Sequence, residues 1–141
     1  MRGGDPDSIP WYLWAPEAVK VVGEAQSHGV RVIWLTDWMH MTGQIHEHIP
    51  EIPPRMEFLT NRIPGPSKYW KVNAARSVVP DGVPLLWTDD HLKTRMLREK
   101  STKAWVHERA GDTVLINPRK DCGITPRDVT TIREWVARVT R

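Results

Sequence analysis

Cysteine is almost missing from this chain: Cys122 stands alone among 141 residues. A single thiol excludes an internal disulfide and any zinc site built on several cysteines, and it fits a reducing compartment. Long apolar runs are missing too. No stretch approaches the roughly 18 apolar residues of a membrane-spanning helix, and Met1-Arg2-Gly3-Gly4-Asp5 is not the start of a signal peptide. These absences point to a cytoplasmic protein. Phenylalanine and tyrosine are scarce, at one and two residues, whereas tryptophan occurs eight times without a fixed period, from Trp11 to Trp135. Tryptophan stacks on bases, but a non-periodic set most often builds core. A large charge excess is also lacking. Twenty Lys and Arg against 17 acids give a net charge of +3 and a pI near 9.2, and the basic residues are scattered, which is a weak nucleic-acid signal.

What is present is the composition of one globular domain, with 40% hydrophobic and 26% charged residues. At this length folding buries roughly two thirds of the extended-chain surface, so neither disulfides nor a structural metal are needed. Residues 1–10, rich in Gly, Pro, Asp and Ser, read as a flexible leader, and residues 11–141 as a single domain.

Pro16 and Gly29 bracket a helix whose Ala18, Val21, Val22 and Ala25 repeat at helical spacing, and Val30–Thr36 follows as a β-branched strand. A helical stretch at about 38–48, Pro-rich chain at 50–54, a short strand at Met56–Leu59 and a loop through Ile63-Pro64-Gly65-Pro66 come next. Ser67 caps a predicted helix running to Val79, and Pro84–Thr88 is a second apolar strand ending on Asp89-Asp90. A helical region within 91–109, a strand at Thr113–Asn117 and a final helix opened by Thr125-Pro126-Arg127-Asp128 complete the chain. In that opening Thr125 is the N-cap, Pro126 is N1 and Asp128 is the acid at N3. There is no internal repeat. Helix alternating with strand predicts an α/β fold: a Rossmann-like, three-layer parallel sheet with helices on both faces.

In such sheets ligands bind beyond the carboxyl ends of the strands. Thr36 and Asp89-Asp90 stand at two such ends. Two carboxylates about 4 Å apart repel by on the order of 4 kcal/mol at an effective dielectric near 20, so the pair calls for a cation or a shifted pKa, and Mg²⁺ is the natural ion. Taken singly, each residue also has a plainer reading. Asp89 and Asp90 can cap the following helix, Thr36 can hydrogen-bond locally, and Lys71 can be a solvated helix residue.

Taken in order, Trp34-Leu35-Thr36-Asp37-Trp38, Tyr69-Trp70-Lys71, Leu86-Trp87-Thr88-Asp89-Asp90 and Gly123-Ile124-Thr125 form a set. It resembles the small haloacid dehalogenase-like hydrolases, in particular a compact group familiar from actinobacteria and their phages. The resemblance covers most of residues 11–139. It implies that Thr36 binds phosphoryl oxygens, that Lys71 neutralises charge on the transferring group, and that Asp89 and Asp90 hold Mg²⁺. Thr36, Lys71 and Asp89 are then the catalytic candidates, with Lys68 a nearby substitute for Lys71. Phosphoryl transfer asks for these residue types together because charge on the moving oxygens must be held by a cation, a lysine and directed donors.

The resemblance also implies an apolar strand ending in Asp-x-Asp, the source of a nucleophilic carboxylate. No such strand is found in the 141 residues. Asp5-Pro6-Asp7 has the spacing, but Met1-Arg2-Gly3-Gly4 is no strand. In the family that strand lies mid-sheet, between those that here carry Thr36 and Asp89. Three closures are open: the two strands pair directly, another chain donates a strand, or the true start lies upstream of Met1, which is the reading preferred. Trp11–Trp14 would then end a small flap, leaving an open site without a large cap.

Two further candidates rank low. His40, His46 and His48 near Glu47 and Glu51 fit no zinc spacing and read as a solvated helix surface, and Cys122 reads as an ordinary loop residue. The leading expectation is a Mg²⁺-dependent hydrolase of phosphomonoesters, impaired without its nucleophile strand. The alternatives are a non-catalytic module of the same fold that binds a phosphorylated ligand or a protein, and a nucleic-acid binding module.

Overall fold

The computed structural model describes residues 16–36, 57–60, 70–119 and 123–141. Helix α1 (Pro16–Ser27) fills the span that its proline and glycine mark, and Gly29 leaves it at φ +87°, where a side chain would strain the backbone. Strand β1 (Ile33–Thr36) is shorter than the β-branched run suggests, and it pairs in parallel with β2 (Glu57–Thr60), Ile33 opposite Glu57 and Thr36 opposite Thr60. Val30 and Val32 instead pack towards α1 and the last helix.

Helix α2 (Trp70–Val78) follows, with Val72 and Ala75 turned inward. Strand β3 (Leu85–Thr88) pairs in parallel with β4 (Thr113–Ile116), Leu85 opposite Thr113 and Thr88 opposite Ile116. Between them the helical region expected within 91–109 is two pieces. Residues 91–95 are turns, Met96–Arg98 is a 3-10 turn, and Glu99 is extended before helix α3 (Lys100–Glu108). The break has a local cause: the Glu99 carboxylate accepts from the backbone N–H groups of Ser101 and Thr102, acting as the cap that starts α3. Helix α4 (Pro126–Val139) begins as its sequence dictates. Thr125 Oγ1 accepts from Asp128 N and Asp128 Oδ2 accepts from Thr125 N, a complete capping box with Pro126 behind it.

The fold is mixed α/β, with four helices and two parallel two-stranded sheets among the described residues. β1 and β3 are not hydrogen-bonded to each other, so the direct closure of those two strands does not occur. The period of two along β3 sends its residues to different clusters. Leu85 and Trp87 pack with Val72, Ala75, Leu92 and Met96, and Leu35 of β1 lies against the same group. Leu86 and Val114 pack with Ala25, Trp135 and Val136, the seam between α1 and α4. Leu92 is wholly buried, and burying one such side chain stabilises by roughly 1.5–3 kcal/mol. Tryptophan serves as core where it is described: Trp87 and Trp135 are buried, and Trp34, Trp70 and Trp105 are half-buried.

One buried cation ties three segments together. Arg109 donates to Thr113 Oγ1 at 2.6 Å and to the carbonyls of Val83 at 2.6 Å and Pro80 at 3.3 Å, with its guanidinium over the Trp105 ring. Gly111 presses against the Val83 carbonyl so closely that any Cβ would collide with backbone.

Candidate functional site

The site is built where β3 runs out. Asp89 is the first residue beyond the strand, and its N–H donates to Ile116 O at 3.2 Å, which holds it in line with the end of β4. Lys71 lies on α2 one turn before Ala75, on the face that packs against β3. Its Nζ reaches Asp89 Oδ2 at 2.9 Å, and the two side chains are only 17% and 7% exposed. Thus two of the predicted site residues, 18 positions apart, meet in a nearly buried ion pair.

The second oxygen of Asp89 is also engaged. Oδ1 accepts from His91 N at 2.8 Å, so Asp89 also caps the turn that follows it. Asp90 sits in a different environment. Its side chain is 66% exposed, with His91 Nε2 3.8 Å away. The adjacent carboxylates are therefore separated by environment, and Lys71 supplies one positive charge that the pair requires. Asn117, which closes β4, is a member that sequence reasoning missed. Its Oδ1 accepts from Lys93 N at 2.8 Å and pins the loop after Asp90 to the same strand ends. An amide directly after an apolar strand was the available signal.

Thr36 is the last residue of β1. Gly123 is in the left-handed region at φ +66° and bridges to Arg119, ahead of the Thr125 cap. Lys68, Asp5-Pro6-Asp7, Trp11–Trp14, Cys122, the 38–48 helix with His40, His46 and His48, Ser67 and the Pro-rich stretch lie outside the described residues.

The donor set fits Mg²⁺. That ion commonly uses one or two carboxylates and keeps several waters, and an ionised carboxylate has about four lone-pair sites, so Asp89 retains acceptor capacity beyond its two bonds. Asp90 is open to solvent beside it. Among the described residues no group of three or more His, Cys, Asp or Glu gathers. No family model, no curated protein and no solved structure matches the chain. Among the described residues no helix is long and apolar enough to cross a membrane.

Proposed function

We propose that this chain is a phosphoryl-handling domain of the haloacid dehalogenase-like type, with Asp89 and Asp90 holding Mg²⁺ and Lys71 and Thr36 receiving the phosphoryl group of a phosphomonoester. The observation that carries the reading is the Lys71–Asp89 ion pair at the carboxyl end of β3. A lysine held there by a carboxylate is kept from wandering and is placed to meet a second anion. In this reading β1–β2 and β3–β4 are two parts of one three-layer parallel sheet interrupted between β1 and β3, which brings Thr36 to the same edge as Asp89. The packing of Leu35 against the cluster that includes Leu85 and Trp87 supports that arrangement.

Bound Mg²⁺ would offset charge on the phosphoryl oxygens. Lys71 contributes a point charge on the transferring group, Asp89 keeps Lys71 extended, and Asn117 fixes the loop that carries Asp90. In hydrolysis a water oxygen bonds to phosphorus, the ester P–O bond breaks, and the alcohol oxygen takes a proton. Binding a phosphorylated ligand without that step is the second reading.

Titration calorimetry with Mg²⁺ and inorganic phosphate tests the site, and release of phosphate from p-nitrophenyl phosphate tests turnover. Heat in both titrations that Asp89→Asn removes supports the assignment. Turnover abolished by the same change makes the domain a hydrolase, whereas heat without turnover makes it a binding module. No heat from either ion sinks the proposal.

A further inference from the structure

The positive charge of this protein is not evenly spread once its ion pairs are taken into account. Arg31 holds Glu57, Arg133 holds Glu24 and Glu17, Arg138 holds Asp112, and Lys71 holds Asp89. By contrast Lys93, Arg95, Arg98, Lys100 and Lys103 make no ion pair with a described carboxylate, and all five are exposed. The one acid among them, Glu99, is turned back onto its own helix, where hydrogen bonds from Ser101 and Thr102 hold its carboxyl down to about 2. Residues 93–103 carry a net +4 against +3 for the whole chain, so the other 130 residues net to −1. Among the described residues the scatter of basic residues along the sequence conceals an unneutralised stretch at 93–103.

That stretch starts at the candidate site. His91 N donates to Asp89 and Lys93 N donates to Asn117, while Leu92, Met96, Thr102 and Val106 anchor the segment inward and leave the cations outward. A run of unpaired cations on a fixed track recognises a run of phosphates. An anionic membrane is a poorer match, because it would also want exposed apolar anchors, and among the described residues Val83 is the only large exposed hydrophobic. Lys71 and Asp89 are so enclosed that a terminal phosphate on a strand end reaches them more readily than an internal phosphodiester of a duplex does.

Resting on the phosphoryl-handling reading above, we propose that the phosphate bound at Lys71 and Asp89 is the terminal phosphate of a single-stranded nucleic acid, whose backbone lies along Lys93, Arg95, Arg98, Lys100 and Lys103.

The test is fluorescence anisotropy of the full chain, in Mg²⁺, with a short single-stranded oligodeoxynucleotide phosphorylated at both ends and with its unphosphorylated counterpart. With four phosphates engaged, affinity falls about 50-fold between roughly 50 and 200 mM salt. Combining Arg95→Ala, Arg98→Ala and Lys103→Ala weakens binding at least about tenfold and reduces the salt slope by about 2. Lys20→Ala, a control on exposed α1, changes nothing. The phosphorylated strand binds tighter than its counterpart, and Lys71→Met erases that difference.

Equal binding of the two strands overturns the proposal, as does a triple variant that binds like the parent, or phosphatidylserine vesicles that show the same dependence on the three cations. The triple variant is folded if it keeps the calorimetric heat with Mg²⁺ and inorganic phosphate. A parent chain that gives this heat but binds no oligonucleotide overturns the substrate class and leaves the phosphoryl site standing. A parent that gives no such heat overturns both.

Discussion

Two ion pairs of nearly equal length mark opposite ends of the strands. Arg31 and Glu57 meet at 2.7 Å where β1 and β2 begin, and Lys71 and Asp89 meet at 2.9 Å where β3 ends. The first pair is 62% and 49% exposed, in a sheet where no residue with a described side chain is fully buried. The second is only 17% and 7% exposed. Distance alone would rank the pairs alike. Water decides otherwise: at the surface each charge is solvated with or without its partner, whereas a charge buried alone has lost its hydration and regained nothing. A nearly buried lysine and aspartate therefore mark a place where the fold commits charge, and the exposed pair marks only where two strand ends are clamped.

The sharpest way to break this contrast is Asp89→Ala. Leaving Lys71 without its partner costs about 3–5 kcal/mol in urea denaturation. Replacing both together, Lys71→Met with Asp89→Leu, costs less than Asp89→Ala alone, because no uncompensated charge remains. If the double replacement is as damaging as the sum, the pair is not acting as a buried unit. Arg109→Met comes next, at about 2–3 kcal/mol, since three acceptors in the β3–β4 half lose a charged donor at once.

A pH series then separates surface charge from buried charge. Glu99 has its carboxyl lowered from 4.5 to about 2 by Ser101 and Thr102, so its stabilisation is present above about pH 4.5 and is lost as pH falls through about 2. Glu99→Gln flattens the fall in stability across that window and is checked by urea midpoints at successive pH values. The smallest effect belongs to Arg31→Gln. It leaves the midpoint at neutral pH within error, although Glu57, whose carboxyl is held low by the hydrogen bond from Arg31, returns towards its ordinary range.

Much of the local structure was legible in the sequence because it is written in neighbouring residues. Pro16 with Gly29, and Thr125 with Pro126 and Asp128, carry their own instructions, and the helices begin where those residues place them. The helical region within 91–109 holds a helix, but where that helix begins was not legible, for the opposite reason. Leu92, Met96, Thr102 and Val106 are all buried, but Glu99 accepts from the backbone N–H groups ahead of it and sets the start of α3 at Lys100. Of the site, residue types and order singled out Lys71 and Asp89, yet only the packing of α2 on β3 brings them together. The division of labour between Asp89 and Asp90 was not legible at all. Which of the two is buried depends on an amide hydrogen two residues later and a lysine from another element.

Arg109 has a consequence for how the molecule breathes. Its guanidinium joins the 80–83 turn, the end of α3 and the first residue of β4, and Gly111 lets the Val83 backbone lie directly against the chain that enters β4. Opening any one of these segments unseats the same side chain, so they must exchange their amide hydrogens with solvent as one cooperative unit. The 80–83 turn, exposed though its residues are, should then resist proteases as long as the β3–β4 core holds together, and be cut only when that whole half comes apart.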